Sequence, residues 1–241
     1  MKDQGWVVFS YRRDFMICFW GQLSFSRQPL VPFGYELFIR EGSADNWHVP
    51  TDFNRFSAQQ IIDLLVKTAP NISKTTRNLS INADVKQFVN PYFYRAFARV
   101  GQLLPSVNLA IELTEHPAKN PVTDDELVTA ARNYNRSGIH IIMDDVGSGD
   151  NQVSRVRLLN PYVQEYKFAI QNFRGKKNFD EILEDLAFWR KEACDHRKLL
   201  TIEGIESADD IAALDAYQVD MLQGYFLNQP VYLPTRSEQV G

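Results

Sequence analysis

Apolar, β-branched and aromatic runs alternate along this chain with longer stretches whose apolar residues recur every three or four positions. These are the two periods that separate strands from amphipathic helices. The pattern predicts strands over 15–25, 34–40, 77–84, 108–115, 139–146, 163–170, 198–205 and 221–228. It predicts helices near 57–70, 86–103, 122–137, 151–158, 177–195 and 207–218. Two helix starts are signalled by capping boxes, Ser57 with Gln60 and Thr123 with Glu126. In the helix from 177, Phe179, Ile182, Leu183, Leu186 and Trp189 fall on one stripe, expected to face the strands.

Strands alternating with helices over 241 residues predict an α/β fold, a (β/α)8 TIM-like barrel, whose usual size is ~250 residues. A doubly wound open sheet is the alternative. The first two strands are joined by "SRQPLVPFG", too short for a crossover helix, so the first strand is expected to run antiparallel to the second. With no linker, low-complexity tract or repeat, one domain over 1–241 is the expectation.

Composition narrows the class. A chain that is 44% hydrophobic and 12% aromatic can bury a full core. The net charge of −4 gives no reason to expect a DNA or RNA duplex, or an anionic membrane, as partner. Cys18 and Cys194 are too few and too far apart for a disulfide framework, which suits a reducing compartment. The apolar run "FMICFWG" is far shorter than the ~20 residues of a membrane span, and no signal peptide stands out. A cytoplasmic location with no membrane segment is expected. Only about 14 residues precede the first predicted strand, so control is expected from expression, metal, oligomerisation or a partner chain.

The stretch "IIMDDVGSG" at 141–149 ends an apolar run in two adjacent carboxylates. Burying such a pair bare is costly, so it is either solvated at a strand end or holds a cation. Other predicted strands carry a comparable polar residue: Glu36, Asn82, Glu112, Lys167, Glu203 and Gln223. In a barrel the strand C-termini converge on one mouth. Carboxylates plus an amide oxygen, without His or Cys, form a hard donor set suited to Mg2+ or Mn2+ rather than zinc. Two such ions ~3.5–4 Å apart would polarise a phosphate and activate water, which makes phosphoester hydrolysis the reaction class. Each residue also has a plainer reading: a solvated acid, a backbone-satisfying Asn82, a rim pair of Lys167 with Glu165, a turn at Gly147 and Gly149.

Taken in order, these segments resemble the EAL-domain family, the bacterial cyclic di-GMP phosphodiesterases, from about Phe15 to Pro230. The Glu-Ala-Leu-x-Arg signature is similar to Glu36-Leu37-Phe38-Ile39-Arg40, with Gln22 ahead of it. "LSINAD" carries Asn82, "ELTE" runs from Glu112 to Glu115, "DDVGSG" stands for DDFGTG, "IEGIES" for EGVET, and "QGY" begins at Gln223. The resemblance implies hydrolysis of cyclic di-GMP to linear pGpG with two Mg2+ or Mn2+ ions. It implies that Glu36, Asn82, Glu112 and Asp144 hold one metal, and Asp144 and Asp145 the other. Lys167 and Glu203 would position and activate the water, with Glu203 as general base. Arg40 would contact a phosphate, Gln22 and Gln223 would help hold substrate or water, and Glu115 would steady the loop after the aspartates. A homodimer is expected on the same ground.

The sequence also departs from the family pattern. Phe38 replaces Leu, Phe168-Ala169 follows Lys167 where Lys-x-Asp is usual, and the loop 146–151 reads Val-Gly-Ser-Gly-Asp-Asn. These changes keep a second reading open, a weak or inactive module acting as a cyclic di-GMP receptor or protein-interaction regulator.

Overall fold

The computed structural model describes residues 16–43, 46–72, 76–118 and 120–235. Its strands, in chain order, are β1 (Met16–Ser26), β2 (Val31–Ser43), β3 (Asn46–His48), β4 (Asn78–Ala83), β5 (Asn108–Leu113), β6 (His140–Met143), β7 (Glu165–Ala169), β8 (Leu199–Glu203), β9 (Met221–Gln223) and β10 (Val231–Leu233). Parallel pairing runs from β2 through β4, β5, β6, β7 and β8 to β9, and β1 pairs antiparallel with both β2 and β9. The result is a closed eight-strand mixed barrel with helices outside. The antiparallel first strand is as the short connection required. The short strands β3 and β10 were not anticipated; they extend the sheet beyond the barrel, on β2 and β1 respectively.

The helices are α1 (Ala58–Thr68), α2 (Val85–Val89), α3 (Pro91–Ala98), α4 (Val100–Leu103), α5 (Asp124–Arg136), α6 (Val153–Leu159), α7 (Phe179–His196) and α8 (Ala208–Ala213). Both expected capping boxes are present, on α1 and α5. The single helix expected over 86–103 is broken, because Pro91 disfavours helical backbone at Asn90, and Asn90 instead caps α3 by accepting from the Tyr92 amide. The strand expected to reach 228 stops at Gln223; the Leu227 and Asn228 amides turn back onto the Gly224 carbonyl. On α7, Ile182, Leu186 and Trp189 are buried as expected, whereas Phe179 is exposed. Among the described residues no helix is long and apolar enough to cross a membrane.

Strand alternation divides the protein into two interiors. Leu79, Ile81, Leu109, Ile111, Leu113, Leu200 and Ile202 belong to the hydrophobic core between strands and helices; α7, for instance, packs on β7 and β8. The intervening positions point the other way and carry Ser80, Asn82, Ala110, Glu112, Thr201 and Glu203. The apolar core is therefore the outer layer, and the barrel's inside is largely polar.

Candidate active site

Lys167 is the centre of the polar interior. It is 2% exposed, and its Nζ lies 2.6 Å from Glu112 Oε2, 2.6 Å from Glu203 Oε1, 2.9 Å from Glu36 Oε2 and 3.6 Å from Asp144 Oδ1. These residues come from β7, β5, β8, β2 and the end of β6, so closure of the barrel is what brings them together. The plainer reading of Lys167 as a rim partner of Glu165 does not hold. Glu165 instead accepts from Thr201 Oγ1 at 2.6 Å.

The amide residues complete the cluster. Asn82 Nδ2 donates to Glu36 Oε1 at 2.7 Å, and Gln223 Nε2 donates to Glu36 Oε2 at 2.7 Å. Gln22 faces Glu36 across the β1–β2 pairing, and its Nε2 donates to the Asn228 carbonyl at 2.9 Å. Arg40 lies four residues beyond Glu36 on the same strand face, about 13 Å along the strand, and outside the cluster. Its guanidinium donates to the Ile39 carbonyl and sits 5.7 Å from the centre of the Phe38 ring.

Adjacent aspartates on a regular strand would point to opposite sides. Here β6 ends at Met143 and Asp145 takes a positive φ of 47°, a conformation Asp tolerates better than most residues. The bend brings oxygens of Asp144, Asp145 and Glu115 within 4.8 Å of one another. Asn151, fully buried, holds the bend by donating to the Asp144 carbonyl at 2.6 Å and the Leu113 carbonyl at 2.9 Å. Gly149, at φ 44°, lets the loop pass the Glu115 carbonyl, which a Cβ would overlap. That carbonyl also accepts from the Asp150 amide at 2.8 Å. The part of Glu115 that ties down the loop is thus its backbone, and its carboxylate is left beside the two aspartates.

The electrostatics follow from burial. Glu112 is pushed up to about 8 by burial and the Glu36 charge, with Lys167 opposing. Glu203 is pushed up to about 7 by burial, again against Lys167. Burial also raises Asp144 and Asp145. Glu36 goes the other way: burial opposes its ionisation, but Lys167, Asn82 and Gln223 together outweigh it. Burial disfavours the Lys167 ammonium, yet the surrounding carboxylates raise its pKa well above the usual value. A single buried ammonium among this many carboxylates leaves negative charge uncompensated.

Two buried oxygens, Asn82 Oδ1 and Asp144 Oδ1, have no hydrogen-bond partner. Orphaned buried acceptors are rare, and hard oxygens in an anionic mouth suit a divalent cation. The residues present therefore fit a hard divalent cation. Asn151, Asn172, which donates to Asp145, and Asn228 were not anticipated; loop amides carry no periodic signal, and nothing in the sequence marks them.

An α/β barrel with a lysine–carboxylate centre and an acidic lip at its C-terminal mouth is the class this geometry defines. The EAL domain family matches residues 43–230, and the chain belongs to that family. The match begins after Glu36-Leu37-Phe38, yet the barrel places Glu36 inside the cluster. Among solved structures, the EAL enzyme Bd1971 in its cAMP- and cyclic-di-GMP-bound form is similar at a TM-score of 0.73 and 17% identity, over 89% of this chain and 62% of that one. A standalone EAL protein from Vibrio cholerae O395, bound to c-di-GMP, is similar at 0.69 and 21%, over 92% and 96%. The Bacillus subtilis YkuI protein, in complex with substrate c-di-GMP and calcium, is similar at 0.70 and 16%, over 91% and 57%. The chain thus spans less than two thirds of Bd1971 and of YkuI. No curated protein matches it.

Proposed function

We propose that this protein is a metal-dependent phosphodiesterase that hydrolyses cyclic di-GMP to linear pGpG at the C-terminal mouth of its barrel. The observation that carries the proposal is the pair of buried oxygens that accept no hydrogen bond, Asn82 Oδ1 and Asp144 Oδ1, in a mouth ringed by carboxylates. Glu36, Asn82, Glu112, Asp144 and Asp145 would hold Mg2+ or Mn2+. The ions supply Lewis-acid polarisation of a phosphate oxygen and lower the pKa of water. The Glu115 carboxylate, beside both aspartates, is a further donor within reach.

The chain's own groups do the rest. Glu203 accepts the proton of the attacking water, a role open to a buried carboxylate at the end of a barrel strand. Lys167, held by Glu203 and Glu112, fixes the direction in which Glu203 presents its free oxygen and offsets negative charge as the phosphate is attacked. Arg40 takes a non-bridging phosphate oxygen. Gln223 and Gln22 hold Glu36 and the β1 edge in place. A homodimer and a cytoplasmic setting are part of the proposal.

One observation favours a second reading, a receptor that binds the nucleotide without turning it over. Ala169, 1% exposed, occupies the position in register with Glu203 and offers no carboxylate there. Incubating the protein with cyclic di-GMP and Mn2+ and separating the products by chromatography distinguishes the two. The phosphodiesterase reading expects pGpG to accumulate, with loss of at least ~100-fold in Glu36→Ala. Saturable nucleotide binding without pGpG establishes the receptor instead.

A further inference from the structure

The opposite end of the barrel holds a cavity of about 460 Å³ that reaches from the exposed rim at Pro161 and Arg197 to the undersides of Glu36 and Glu112. Its origin is legible in the side chains. Barrel interiors of this fold are normally filled by bulky branched residues, but here Gly34, Ser80 and Ala110 occupy inward positions on three successive strands. The volume is in the range of small-molecule sites, ~300–1,000 Å³.

Most polar groups facing this space have a protein partner, and Ser80 and Glu165 keep bonding capacity to spare. Ser80 is only 9% exposed and its hydroxyl has no partner. Such a group is costly unless something occupies the cavity to bond it. Glu165 uses one carboxylate oxygen on Thr201, leaving the other directed at the cavity it lines. Asn108, at the exposed rim, donates from Nδ2 to Asn78 Oδ1 at 2.9 Å. The acids lining the cavity are Glu165 on its wall and Glu36 and Glu112 at its inner end. Lys198, the nearest cation, is tied to the Asn160 and Val163 carbonyls at 2.7 and 2.6 Å. Ala110 and Ile142 supply apolar wall.

We propose that this N-terminal cavity binds a small organic cation, one ammonium or guanidinium group on an apolar stem, with the charged head between Glu165 and Ser80 and the stem along Ala110 and Ile142. Anions are disfavoured by the carboxylates at its end. A second positive charge on the ligand is disfavoured by Arg197 and Lys198 near the rim. The site is separate from the hydrolytic mouth, and it stands whether or not the protein turns over a nucleotide.

The test uses three probes with one stem: 4-phenylbutylammonium, 4-phenylbutanol and 4-phenylbutyrate, titrated into the 15N-labelled full chain and followed by amide chemical shifts. The ammonium is expected to shift Ser80, Ala110 and Ile142 saturably, more tightly than the alcohol, with no response to the carboxylate. Glu165→Gln, nearly isosteric, is expected to weaken the ammonium by about tenfold or more, the scale of one charge-assisted hydrogen bond. Ser80→Leu, which fills the cavity, is expected to abolish binding while the shifts of α5 and α7 stay in place. Absence of saturable shifts in the wild-type chain overturns the proposal. So do equal affinities for the alcohol or the carboxylate, and unchanged binding in either variant.

Discussion

At the C-terminal mouth, Lys167 binds carboxylates from β2, β5 and β8, and amides from Asn82 and Gln223 close the remaining positions around Glu36. At the N-terminal mouth of the same strands, Glu165 has Thr201 as its partner and Ser80 has none, beside open volume. The strands are continuous, so backbone geometry does not account for the difference. It lies in what each inward position carries: long charged groups that span the barrel at one end, and side chains too small to meet at the other. At the C-terminal end the polar groups meet across the barrel, whereas at the N-terminal end they pair only with a neighbouring strand.

The comparison is broken most severely at Lys167. Lys167→Met removes the ammonium that the clustered carboxylates share, and in EDTA it is expected to cost about 3–5 kcal/mol, the scale for stripping one partner from a buried ion pair. Urea denaturation measures it, and Mn2+ is expected to recover much of the loss. Asn151→Ala comes next. It leaves the Asp144 and Leu113 carbonyls without their buried donor, at about 1–3 kcal/mol, and it is expected to weaken Mn2+ binding by releasing the bend at Asp145.

Both mouths respond to pH, since burial pushes Glu165, beside the N-terminal cavity, up to about 7 as well. Glu112 and Glu203 titrate at about 8 and about 7 in the folded protein, above their ordinary value, so the metal-free fold retains protons that the unfolded chain releases. Their contribution is complete below about pH 4.5 and is lost as pH rises through 7 to 8. Glu36, whose shift is downward, and Lys167, whose shift is upward from 10.5, change little in that window. In EDTA, Tm is therefore expected to fall on the order of 5 °C between pH 6 and pH 8. Mn2+ should stabilise more at pH 8 than at pH 6, because its ligands bind as carboxylates. Ser80→Leu, at the quieter mouth, is expected to change stability by less than about 1 kcal/mol in either direction, since added burial offsets any crowding in an existing cavity.

The eight barrel strands were legible because each holds an apolar, β-branched or aromatic run set between stretches of helical period, and the antiparallel start followed from connection length. The polar interior was legible for a related reason: Glu36, Glu112, Lys167 and Glu203 each interrupt a run that is otherwise apolar. Most of what escaped depends on coordinates. The break at Pro91 was visible, but its effect lost out to a strong helical pattern on both sides. Asn151, Asn172 and Asn228 act from loops, where a buried amide and a solvated one look alike. The Glu115 carboxylate reached the aspartates only through the positive φ of Asp145. The N-terminal cavity is invisible to any pattern of hydrophobicity, since Gly34, Ser80 and Ala110 matter there for their volume and their register.

Titration of Mn2+ into metal-free protein at pH 8, followed by electron paramagnetic resonance, tests whether the oxygen donors at the C-terminal mouth clasp divalent cations. Saturable uptake of two ions per chain, reduced to one or none in Asp144→Asn and unchanged in Ser80→Leu, is the predicted result. No saturable uptake, or uptake indifferent to Asp144, contradicts it.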